Sequence, residues 1–121
     1  YIIISSRIKK HLQGYQNVDI EYIPVKIFQN NITHDYFIIN ILTLVDCIDF
    51  DNSDVEIKFG EVFFIKKLSI NNCKIIGRKP FFLIDKSAVQ LICFQKSIVN
   101  ELKKICCTGV DFISISDYTT I

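Results

Sequence analysis

Tyr36-Phe-Ile-Ile-Asn-Ile-Leu-Thr-Leu-Val45 is the stretch on which the fold turns. It is a nearly continuous apolar run, interrupted only by Asn40 and Thr43. A membrane span needs about 20 apolar residues, twice this length. A short run of this composition reads instead as a strand buried on both faces, and so as a central strand of a sheet. Upstream, Gln29-Asn-Asn-Ile-Thr-His-Asp35 is a turn by composition. Before it, Val18, Ile20 and Tyr22 alternate with Asp19 and Glu21 until Ile23 and Pro24 break the phase. Proline has no amide to donate, so residues 18–28 read as an edge strand or a bulged one.

Downstream, residues 46–54 form an acidic loop. Short apolar or alternating runs follow at 55–58, 62–65, 81–84 and 91–94, separated by Asn71-Asn72 and Asp85-Lys86-Ser87 turns. Two helices are predicted. In the first, Ile8, His11, Leu12 and Tyr15 share a face, with Ser5-Ser6 as N-cap and Gly14 as stop. In the second, Ile98, Leu102, Ile105 and Cys106 form an apolar stripe ending before Gly109, with Lys103 and Lys104 well placed for the helix dipole. Residues 110–116 then alternate as a strand, and 117–121 are expected to fray. The two ends look alike: Ile8 and Leu12 match Ile98 and Leu102, and Val18-Asp19 matches Val110-Asp111. A weak internal repeat and a coincidence between two amphipathic helices both account for this.

The inventory agrees with a strand-rich fold. There are 24 Ile and 15 aromatics but one Ala, Ala88, among 121 residues; β-branched and aromatic side chains suit a pleated surface. The expected class is α+β: a largely antiparallel β-sheet of about six strands with two main helices packed on it. Residues 36–45 should lie centrally, and Ile98, Leu102 and Ile105 should face the core. Half the residues are hydrophobic and 22% are charged, so a core is within reach. The formal charge of +1 argues against a dedicated nucleic-acid binder or a polybasic membrane anchor. The short apolar start at 1–4 lacks the length of a signal peptide, and the chain reads as a soluble, cytoplasmic one. No Met occurs, even first, so some upstream sequence is expected to be missing from a single domain spanning 1–121.

Chemistry is sparse. The five cysteines, Cys47, Cys73, Cys93, Cys106 and Cys107, are odd in number and form no C-x-x-C, which points to reduced, mostly buried thiols; only the vicinal pair 106–107 invites a redox reading. Counted from Asp49 as a calcium loop, the sixth position is Asp54 rather than Gly and the twelfth is Gly60 rather than Glu, so a solvated loop is the better reading. His11 and His34 carry no local signature of a Cys–His nucleophile. No phosphate-cradling glycine loop or hydrolase motif is found. No catalytic residue, metal ligand or cofactor is therefore assigned, and a protein acting by surface complementarity leads.

Four segments in order strengthen that choice. They are Ile3-Ile-Ser-Ser-Arg-Ile-Lys-Lys-His-Leu12 with Val18-Asp-Ile-Glu-Tyr-Ile-Pro-Val25; Asp35-Tyr-Phe-Ile-Ile-Asn-Ile-Leu-Thr-Leu-Val-Asp-Cys-Ile-Asp49 with Ser53; Pro80-Phe-Phe-Leu-Ile84; and Leu91-Ile-Cys-Phe-Gln-Lys-Ser-Ile-Val-Asn-Glu-Leu102 with Thr108-Gly-Val-Asp-Phe112. Together, over residues 3–113, they resemble the bacterial immunity-protein family numbered eleven among those of polymorphic toxin systems. Two positions depart from it: Phe82 stands where the family usually has Arg, and Gln95 where it has Ser. The resemblance implies a non-catalytic cytoplasmic inhibitor whose partner is a cognate toxin protein; the charge balance and the short apolar runs predict no nucleic-acid or membrane partner. It names neither the toxin nor the oligomeric state.

For a basic, nuclease-like toxin, Asp49, Asp51, Asp54 and Glu56 would supply complementary charge and speed encounter. Two other classes compete. An unrecognised enzyme would show a deep polar pocket converging on Cys or His. An assembly module of a larger protein would show an apolar face or an unpaired edge strand.

Overall fold

The apolar run at 36–45 does not make one strand. The computed structural model describes residues 2–16, 18–77, 79–105 and 109–120. In it the run is broken at Leu42 and Thr43, between β3 (Ile32–Ile41) and β4 (Leu44–Val45). Thr43 explains the break. Its Oγ1 accepts the Asp19 amide at 2.8 Å and its carbonyl accepts the Leu83 amide at 2.9 Å, so one residue ties the end of one sheet to the start of another.

β3 is the central strand of an antiparallel sheet, between β1 (Ile2–Ser5) and β2 (Ile20–Gln29). The central place matches expectation; burial on both faces does not. Phe37, Ile39 and Ile41 join the core, while Tyr36 and Ile38 on the alternate face stay half-buried and Asn40 is exposed. The expected seven-residue turn shrinks to Asn30-Asn31, both with positive φ (52° and 62°), the geometry a two-residue hairpin needs and Asn tolerates. Pro24 lies on the edge strand β2, in unbroken register with Phe37 and without a bulge.

Two further sheets replace the remainder of the single expected one. β7 (Phe81–Ile84) runs parallel to β4 and antiparallel to β8 (Ile92–Phe94), and β5 (Asp54–Lys58) pairs antiparallel with β6 (Glu61–Lys67). The class is α+β with mostly antiparallel pairing, but the described residues form eight strands in three sheets.

β7 is the spine. Its alternation sends Phe82 and Ile84 into one core, with Val45, Cys47, Ile48, Val62, Ile65 and Leu68. Phe81 goes into the other, with Leu83 packed against the same cluster. Being covered on both faces, this strand is apolar without interruption. The second core holds both helices: Ile8 and Leu12 of α1 (Ser6–Leu12) and Ile98 and Leu102 of α2 (Lys96–Lys104) are buried with Ile4 and Ile41. Each such side chain stabilises the fold by about 1.5–3 kcal/mol through removal from water. Ile105, expected inside, is the half-buried residue that closes α2. Ser5 caps α1 by accepting the Ile8 amide at 3.4 Å; α2 starts after Gln95, whose side chain makes no capping bond. Lys9 of α1 lies 4.1 Å from the centroid of the Phe37 ring, tying the helix to the sheet.

The C-terminal expectations need correction. Residues 110–116 form no strand; only Phe112 among their apolar side chains reaches the core, edge-on to Phe94 at 5.6 Å between centroids. A single 3-10 turn follows at Ile115–Asp117. The two helices share one core, but the strand that follows the first has no counterpart after the second. Thr119 and Thr120 bond to β6 rather than fraying. The Cys106-Cys107 pair lies outside the described residues.

Candidate functional site

The acidic segment begins as a fixed loop. Cys47 and Ile48 are fully buried, and Ile48 bridges to Ile70. The Asp49 amide donates to the Ser69 carbonyl at 2.9 Å, and the Ser69 amide donates to Ser53 Oγ at 2.8 Å. Composition predicts a solvated loop; its apolar residues and backbone anchor it to the segment after β6.

The four expected partner-binding acids do not behave alike. Asp49 turns back on its own loop: Asn52 Nδ2 donates to its Oδ2 at 2.7 Å, and that bond, helped by the Asn52 and Asp51 amides, holds its carboxyl below the usual range. Asp51 stands exposed. Asp54 and Glu56 are exposed on β5, flanking the half-buried Val55, with Lys67 and Phe64 as their cross-strand partners. Asp46, the remaining acid of the loop, is taken by Lys86 Nζ at 2.9 Å, which lowers its carboxyl pKa.

The segment continues into a hairpin whose exposed aromatics sequence reasoning missed. Phe59 and Gly60 make its turn, both with positive φ (54° and 79°), and Phe59 is 100% exposed. Ile57 is 56% and Phe63 50% exposed. Register shifts leave Phe63 and Lys66 as extra residues on β6, between the pairs Ile57↔Val62, Glu56↔Phe64, Val55↔Ile65 and Asp54↔Lys67. Bulges of this kind re-aim side chains. Here they let Val62 and Ile65 stay buried while the adjacent Phe63 and Phe64 both face outward. The available signal was Phe63-Phe64, two consecutive aromatics that a strand covered on one face alone cannot bury together, and Phe59-Gly60 between two strand-like runs.

The nucleophile candidates sit elsewhere. The Cys47 thiol is pushed up to about 11, chiefly by burial and then by Cys93 and Asp46, so it resists becoming the thiolate. Burial also raises Cys93, while Cys73 is exposed; all three are free. His11 joins α1 to α2: its Nε2 lies 3.0 Å from the Tyr15 hydroxyl and 3.3 Å from Glu101 Oε2, and the Tyr15 hydroxyl donates to that same carboxylate. His34 is exposed beside the Tyr36 ring. Among the described residues no three His, Cys, Asp or Glu side chains gather as a metal site, and no helix is long and apolar enough to cross a membrane. An apolar groove opens between Ile2, Ile23, Ile38, Leu83 and Ile92.

The family model described as Immunity protein family (Imm11) matches residues 1–117. No curated protein and no solved structure matches the chain.

Proposed function

The chain belongs to the Imm11 immunity protein family, and from that membership we propose that it binds a cognate toxin protein in the cytoplasm of the producing cell and blocks it without chemistry of its own. The observation that carries this reading is the family match over residues 1–117. Support comes from the surface. An inhibitor that works by occlusion needs a rigid face bearing exposed aromatics and charges, because few anchors dominate binding energy. The anchored loop and its hairpin offer both, with Asp51, Asp54 and Glu56 as the charges and Asp49 holding the loop in shape.

The test is reconstitution with the product of the neighbouring toxin gene. The two proteins should co-elute in stoichiometric amount, and toxin activity should fall to background as the immunity protein is titrated in. A toxin that remains fully active at saturating immunity protein, both being folded, overturns the reading.

A further inference from the structure

We propose that the β5–β6 hairpin tip is the anchor of the toxin contact, with Phe59 entering an apolar pocket rimmed by basic side chains on the partner. This deepens the toxin-binding reading and rests on it.

The fold has no use for Phe59 where it is. The side chain is fully exposed and makes no contribution to either core. Its φ of 54° lies in the left-handed region, where a bulky side chain is disfavoured and Asn or Gly is preferred. A residue that weakens its own turn and buries nothing is explained by a surface it meets elsewhere. Phe59 also has company. Ile57 and the outward-turned Phe63 and Phe64 make the hairpin an apolar projection. The hairpin is held to the body by buried Val62 and Ile65 and by the Val62 amide, which donates to the Lys86 carbonyl at 2.7 Å.

Charge identifies the occupant. From Asp49 to Lys67 the loop and hairpin carry five carboxylates and three lysines, Lys58, Lys66 and Lys67, an acidic excess of two in a molecule whose formal charge is +1. A second copy docking tip to tip would set these acids against themselves, as the same patch meets itself in a two-fold dimer. An anionic lipid surface would repel them. A basic-rimmed pocket satisfies both the aromatics and the acids.

The experiment uses the full chain and the purified toxin of the reconstitution above, with Phe59→Asn and Phe59→Ala, and Ile23→Glu in the apolar groove, which the hairpin does not line, as control. Phe59→Asn should melt at or above the wild-type temperature and yet bind the toxin about thirtyfold more weakly, the loss expected of a central anchor. Ile23→Glu should bind within about threefold of wild type. Wild-type binding that both Phe59 variants retain overturns the hairpin anchor and leaves toxin neutralisation standing. So does a loss confined to Ile23→Glu. A concentration-dependent dimer abolished by Phe59→Asn assigns the tip to self-association and overturns the proposal as well. Failure of the wild type to bind at all overturns the reading beneath it.

Discussion

Ile65 and Thr120 are bonded in both directions: the Ile65 amide donates to Thr120 Oγ1 at 2.8 Å and the Thr120 amide donates to the Ile65 carbonyl at 2.9 Å. Ile65 is fully buried, so its backbone groups have little access to water. The chain's last described residues thus complete the other side of β6, which among the described residues otherwise pairs with β5 and touches residues 86–88. Thr120→Ala leaves the Ile65 amide without its acceptor and should destabilise the fold by about 1–3 kcal/mol, the cost of an unsatisfied buried donor. Thr120→Ser keeps the acceptor and should stay close to wild type. Urea unfolding of the three proteins measures this.

The same contact shows what the sequence could and could not convey. Polar Thr119-Thr120 at a chain end look like a tail, and the partner, Ile65, is fifty-five residues away. Legible features were local. Phe81-Phe-Leu-Ile84 reads as a short apolar strand because all four side chains are large and apolar; that it is covered on both faces and divides the two cores comes from the packing. Ile98 and Leu102 share a helix face and are both buried. Residues 110–116 misled because alternation reports compatibility with a strand and not the presence of a neighbour; only Phe112 finds a core. At the candidate site the acids were visible in composition. The outward turn of Phe63 and Phe64 depends on a register slip between two strands, which only the pairing reveals.

The start of α2 is underserved. Its N-cap, Gln95, has extended backbone (φ −64°, ψ 145°) but makes no side-chain bond to the first turn, and no acid lies in that turn. Serine at this position places a short hydroxyl within reach of the free amides. Gln95→Ser should therefore stabilise the protein by about 1 kcal/mol. The exposed position leaves room for the change. A rise in melting temperature without a change in the slope of denaturant unfolding is the expected result.

The cluster joining the helices makes stability depend on pH at both ends. The bond from the Tyr15 hydroxyl, followed by that from His11, holds the Glu101 carboxyl below its ordinary value. A lowered carboxyl contributes stability above its unfolded pKa and loses it as pH falls through the folded value. Tyr15 is shifted the opposite way, pushed up to about 12 by partial burial and by its bond to Glu101. A raised phenol contributes stability below its ordinary value of 10.0, and that contribution fades as pH climbs toward about 12. Glu101→Gln removes the carboxylate from both effects. The gap in melting temperature between wild type and Glu101→Gln should be open at neutral pH and narrow on acidification below the glutamate range. Exposure of Glu101 keeps the gap small.

The exposed acids and the aromatic tip should separate kinetically. Charges on a rim steer encounter, so reversing Asp51, Asp54 and Glu56 to lysine should slow association with a basic toxin by about tenfold or more at low salt and leave dissociation nearly unchanged. The difference should collapse as salt shortens the screening length to about 3 Å at 1 M. Asp49 belongs apart from this set. Its carboxylate accepts the Asn52 side chain and two backbone amides, so Asp49→Lys should unsettle the loop and lower the melting temperature before it alters any encounter. Stopped-flow association across a salt series, run beside a thermal melt of each variant, reads the two roles independently. Faster dissociation of the triple variant with unchanged association would make these acids direct contacts and not steering charges.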